Sequence, residues 1–256
     1  MIFGRKPALY PPFIMQLRFL FRTICIGLAC GLVAFTLAGE PSSFKCSDSD
    51  GCAGLSGTMV ESKERSEQDL FASGDFSQWR RIDGRAVSNR WTITNGTVHR
   101  GGFRPGDIVT VRHYQDFDLS FEWKISHGGN SGVKYRTRGS LGPEYQILDD
   151  AHHPDASEPS HRAVSLYGLV AAPESKMLKP VGEWNHGRIV AKGKHIEHWI
   201  NGEKVIDVNL SDETWKDALS DSKFQAHADF GHWKGPILLQ DHGDEVWFRN
   251  LLIREL

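Results

Sequence analysis

From Asp69 onward the chain reads as short segments in which apolar and polar residues alternate. That two-residue repeat turns one face of a pleated strand inward and the other outward. In the first half these segments are Trp91–Ile93, Thr97–His99, Ile108–Arg112, Leu119–Ile125, Gly132–Thr137 and Glu144–Leu148. In the second half they are Val164–Leu169, Trp184–Ala191, His195–Ile200, Glu203–Asn209, Ile237–Gln240 and Val246–Leu252. Turn clusters separate them: Asn95-Gly96, Gly128-Gly129-Asn130, Lys192-Gly193-Lys194 and Asn201-Gly202. Asn-Gly tolerates positive φ at both central positions, so Trp184–Asn209 is expected as a three-strand meander. One stretch, Asp212–Lys223, reads as helical, with Ser211 or Asp212 as its N-cap. There is no internal repeat and no strand–helix alternation. The pattern predicts an all-β fold, a two-sheet antiparallel jelly-roll sandwich with one short helix.

The N-terminal part has a different texture. Arg18 and Arg22 precede an uncharged apolar run, Thr23–Ala38, that ends in Thr36-Leu37-Ala38. Basic flank, apolar core and small-x-small ending describe a secretory signal, so residues 1–38 are expected as a signal peptide. Residues 39–68 are rich in Ser, Asp and Glu and are expected as a disordered linker, which leaves 69–256 as one domain. Export to the periplasm or the extracellular space follows. Two of the four cysteines, Cys46 and Cys52, remain after the leader, and an oxidising compartment favours a small disulfide between them.

Composition narrows the partners. The 256 residues carry a net charge of -2, which gives no basic surface for nucleic acid or an anionic membrane. The 8 Trp and 26 Gly suit a sheet protein with many turns and stacking surfaces.

Four polar clusters fall on or beside the strands. In Asn130–Arg136, Tyr135 and Arg136 alternate faces. In Glu144–Asp150, Glu144 and Gln146 share a face, and a bulge would bring Asp149 onto it. His195-Ile196-Glu197-His198-Trp199 follows, with both histidines read as surface residues. The last is Gln240–Glu245, followed by Phe248-Arg249-Asn250. No His-Glu-x-x-His, Gly-x-Ser-x-Gly or phosphate loop occurs.

In combination, these clusters resemble one family. The stretches NSGVKYR (130–136), GPEYQILDD (142–150), Leu166–Pro173, KPVGEWN (179–185), HIEHWINGEKV (195–205) and LLQDHGDEVWFRNLLIREL (238–256) are similar, in order, to the 3-keto-disaccharide (3-keto-glycoside) hydrolase domain. Lys134, Ala172 and Asn185-His186-Gly187 depart from its pattern. The resemblance implies a concanavalin-type jelly roll and a carbohydrate substrate already oxidised to a ketone at C3. Such a ketone acidifies the C2 proton. A base can then remove it, the C1 substituent leaves by elimination, and water adds back.

On that reading Glu144, Asp149 and His242 are the base and metal-ligand candidates. Arg136, Gln146, Trp199, Gln240, Asp241 and Arg249 are the substrate-binding candidates. One divalent metal ion held by carboxylate, imidazole and amide oxygen is the implied electrophile, or Arg136 or Arg249 in its place. Two other readings remain open. Glu144-x-Gln146-x-x-Asp149 has the spacing of a retaining β-glucanase strand with altered residues. The aromatic and amide side chains would also suffice for a non-catalytic carbohydrate-binding module.

Overall fold

The computed structural model describes residues 66–103 and 105–256; the expected signal segment, most of the linker and Cys46 and Cys52 lie outside them. Thirteen strands build two antiparallel sheets. In chain order they are β1 (Gln68–Asp69), β2 (Trp79–Arg81), β3 (Trp91–Thr94), β4 (Thr97–Arg100), β5 (Ile108–Thr110), β6 (Phe117–Ile125) and β7 (Asn130–Lys134). They continue as β8 (Glu144–Leu148), β9 (Asn185–Lys192), β10 (His195–Ile200), β11 (Glu203–Asn209), β12 (Leu238–Leu239) and β13 (Val246–Glu255). The larger sheet has the order β11-β10-β9-β6-β13-β4-β3, with β1 added on β13. The smaller runs β2-β5-β12-β7-β8. One helix, α1 (Glu213–Ser220), and two 3-10 turns, Pro154–Ser157 and Pro159–His161, complete the described elements.

The alternation works as expected. In β6, Phe117, Leu119, Phe121, Trp123 and Ile125 are buried while the residues between them are half-buried. These rings meet Tyr135, Tyr145 and Ile147 of the smaller sheet in one apolar core. The meander β9–β11 turns at Lys192–His195 and at Asn201-Gly202, where both residues have positive φ. Gly187, one of the departures from the family pattern, is required by its neighbours: a Cβ there would lie 2.7 Å from the Phe121 ring and 3.1 Å from the Tyr145 hydroxyl.

Three expectations are corrected. Val164–Leu169 is not a strand of either sheet. It follows the free edge of β8, with Val164 N donating to Gln146 O and Tyr167 N to Glu144 O. Positive φ at Val164 and Gly168 breaks its extension. His198 is not a surface residue but fully buried. Its Nδ1 donates to the Val164 carbonyl at 2.9 Å, and its Nε2 accepts from the Tyr135 hydroxyl at 2.8 Å. Burial depresses its pKa to about 4, so the ring stays neutral. Finally, β8 carries no bulge; it pairs with β7 in unbroken register. The register shifts fall at His198/Trp199 and between Arg249 and Leu252.

Candidate active site

The unbroken register decides what Glu144 faces. Lys134 stands opposite Glu144 and Gly132 opposite Gln146, so alternate residues of β7 and β8 share the outer face of the smaller sheet. There they line a cavity of about 160 Å³ with Asn130, Tyr167, Lys223, Gln240 and His242. Two separate loops, 150–176 and 221–234, supply Tyr167 and Lys223. Glu144 and Gln146 are buried at its floor, and His242 and Lys223 are exposed at its mouth.

Glu144 is the one carboxylate of that lining. Its Oε2 lies 3.3 Å from Lys134 Nζ, and both side chains are largely buried. Burial raises the carboxyl above its ordinary value, against the opposing pull of Lys134 and Lys223. The carboxylate folds over Gly132, where a Cβ would come within 3.0 Å of its Cδ and collide with Oε1. The amide oxygens of Gln146 and Gln240 are buried without a hydrogen-bonding partner. An unsatisfied buried acceptor costs about 1–3 kcal/mol, so two in one small cavity mark a place prepared for a donor. Gln146 is held on its other side, where Nε2 donates to Asn130 Oδ1 at 3.3 Å.

Tyr167 forms the other wall. Its hydroxyl donates to Asp155 Oδ2 at 3.3 Å, its ring stacks on His161 at 4.3 Å, and Lys223 Nζ sits 4.4 Å from its centre. Burial, Asp155 and Glu144 together push the phenol up to about 12.

The remaining expected residues occupy other places. Asp241 is not in the lining; it anchors the loop that presents His242. It forms a buried ion pair with Arg100 and accepts from Gly106 N at 2.6 Å and Gly243 N at 3.1 Å. Arg136, at positive φ, is fully buried and donates to the carbonyls of Gln115, Gly193 and Gly231. Trp199 lies on the outer face of the larger sheet, between Arg188 and Lys204. Arg249 lies on that face too, bonded to Glu122 and over Trp184. None of these three lines the cavity. Asp149 leaves the end of β8 in the other direction, where it accepts from Gly128 N and Ala151 N.

Of the expected ligand trio, Glu144 and His242 share the cavity lining while Asp149 lies outside it. Among the described residues, groupings with donor atoms within 4.8 Å of one another are His127–Asp149–His152, His153–His242–Asp244 and His195–Glu197–Asp207. The second adjoins the cavity through His242 and through Asp244, which accepts from Asn130 N at 3.0 Å.

Lys134, Tyr167, Lys223 and Asn130 join the site without having been named as site candidates, although Asn130 and Lys134 lie in the first polar cluster. The alternation Asn130, Gly132, Lys134 on one strand was the available signal for two of them. Nothing local to Tyr167 or Lys223 pointed there. A larger hollow of about 800 Å³ opens beside β1, but it holds no histidine and its acidic residues are exposed or half-buried.

Comparison with known proteins bears on the family and the fold. Residues 66–254 match the family described as the 3-keto-alpha-glucoside-1,2-lyase-like domain. A protein of Bacteroides thetaiotaomicron named 3-keto-disaccharide hydrolase is 31% identical, the match covering 73% of this chain and 77% of that protein. The solved structure of a candidate glycosyl hydrolase from Parabacteroides distasonis superposes with a TM-score of 0.67 at 32% identity, over 74% of this chain and 94% of the other. A second from the same organism gives 0.55 at 29% identity, over 70% of this chain and 99% of that one. The chain belongs to the 3-keto-alpha-glucoside-1,2-lyase-like domain family.

Proposed function

We propose that this protein is an exported hydrolase that cleaves 3-keto-glycosides in the cavity between β7, β8 and the His242 loop. One observation carries the reading: a single buried carboxyl, Glu144, with a raised pKa, sits beside Lys134 and two unsatisfied amide oxygens. Export is supported by the apolar run Thr23–Ala38 and its basic flank.

In this reading Glu144 takes the C2 proton. The electron pair of that C–H bond moves toward the C3 ketone oxygen, whose developing charge is met by the Lys134 ammonium. Collapse of the enolate forms the C1–C2 double bond and breaks the bond from C1 to the leaving oxygen, which takes a proton from Tyr167. Its raised phenol pKa keeps that proton in place across the working range. Water then adds its oxygen to C1, the proton returns to C2 from Glu144, and Tyr167 regains its own. The amide oxygens of Gln146 and Gln240 accept from sugar hydroxyls. His153, His242 and Asp244 would hold a divalent cation, a donor set that fits one, and it would polarise the ketone oxygen as a Lewis acid.

A retaining glucanase needs two carboxylates about 5 Å apart, and the cavity wall offers one. The deciding experiment incubates the purified protein with an aryl glucoside and with its 3-keto derivative, each before and after chelation. Aglycone release from the keto substrate alone supports the reading. Equal release from the unoxidised glucoside overturns it, and tight binding without turnover in the presence of metal would make the protein a binding module.

A further inference from the structure

Asp149 has no part in the Glu144 cavity, yet among the described residues it is one of the few buried carboxylates. It sits where the turn after β6 meets the segment after β8. Gly128 N donates to its Oδ2 at 2.7 Å, and Ala151 N to its Oδ1 at 3.1 Å. Burial works against the charged form, but these donors and His152 outweigh it and hold the carboxyl below its ordinary value. Two histidines from the two converging segments stand over it, both exposed. His152 Nδ1 lies 2.8 Å from Asp149 Oδ2, and the His127 ring lies 4.0 Å from the His152 ring, centre to centre. One donor atom from each of the three comes within 4.8 Å of the others.

We propose that His127, Asp149 and His152 form a binding site for a divalent transition-metal ion of the zinc class, separate from the Glu144 cavity. Two imidazoles and one carboxylate are a borderline-soft donor set, which favours zinc, nickel or copper over calcium or magnesium. A metal ion seated between His152 and Asp149, whose Nδ1 and Oδ2 lie 2.8 Å apart, is within reach of all three donor groups. The Gly128 and Ala151 amides fix the carboxylate as outer-shell partners do in metal sites. Three protein ligands leave a coordination position for water on the exposed side. The ion ties the β6–β7 turn to the segment that leads into His153, whose ring stands 6.1 Å from that of His242.

The test uses the whole protein, stripped with a chelator and equilibrated with Zn2+ alone, with bound zinc counted per chain and the thermal midpoint recorded. His127→Ala and His152→Ala should each remove one equivalent of zinc or weaken it at least about tenfold, and reduce the zinc-dependent rise in midpoint. His242→Ala, which alters the separate grouping beside the cavity, should still bind an equivalent that adding His127→Ala removes. Both altered histidines are exposed, and circular dichroism checks that the variants fold as the parent does. The proposal is overturned if the parent binds no zinc at tenfold excess, or if either His127→Ala or His152→Ala binds as the parent does. Loss in His242→Ala with retention in the other two would move the ion to the cavity and equally overturn it.

Discussion

The Glu144 carboxylate occupies the space that a Cβ at position 132 would fill, one strand away in the antiparallel pair β7–β8. The glycine is thus part of how the base is seated. Gly132→Ala should keep the fold while displacing Glu144, at a stability cost of about 1–3 kcal/mol. Turnover of the keto substrate should fall at least tenfold with little change in the circular dichroism spectrum; unchanged kcat would dissociate Glu144 from the chemistry.

The raised pKa of Glu144 sets a pH dependence. A base works in its ionised form, so kcat/KM should rise with pH through a limb lying above the ordinary glutamate range. Lys134 pulls that pKa down, so Lys134→Met should move the limb to still higher pH, and Glu144→Gln should remove it together with activity. A pH–rate profile on the parent and both variants checks this.

Gln240 offers a stability–function trade. Its Oε1 is buried and unpartnered, so Gln240→Leu removes an unsatisfied acceptor. Stability should rise by about 1 kcal/mol while KM for the keto substrate rises. Urea unfolding and steady-state kinetics on one preparation read both effects.

His198 predicts acid sensitivity. Its folded pKa of about 4 lies below the unfolded value near 6.5, so the unfolded chain binds its proton first. The stability it contributes is fully present above 6.5 and is lost as pH falls toward 4, about 3 kcal/mol over that window. Tyr135→Phe takes away the proton that Nε2 accepts and should cost about 1–3 kcal/mol at neutral pH. Denaturant titrations between pH 4 and 7 test both statements.

Arg100 and Asp241 form an ion pair with side chains 1% and 4% exposed. Asp241→Asn leaves the guanidinium buried and short of its counter-charge, which should cost about 3–5 kcal/mol. Replacing both by apolar residues should recover much of that loss, and thermal unfolding of the single and double variants separates the two cases.

Local pattern alone determined much of this molecule. Alternation in Leu119–Ile125 and His195–Ile200, and the positive-φ turn Asn201-Gly202, specify strands and a hairpin because the side-chain period and the turn's dihedral needs are properties of a few adjacent residues. The shared face of Glu144 and Gln146 was legible for the same reason. Which side chains meet them was not. Tyr167 and Lys223 reach the cavity from separate loops, and Lys134 matters because the β7–β8 register sets it opposite Glu144. Arg136, Trp199 and Arg249 have the chemistry of ligand-binding groups but are taken up by carbonyls, cations and a carboxylate elsewhere. Asp149 was read onto the face of Glu144 and lies away from it, since a carboxylate at a strand end goes where backbone amides are free to donate. Strand identity is a short-range property of the chain; the membership of a site is settled by which loops close over which face, and only the tertiary structure decides that.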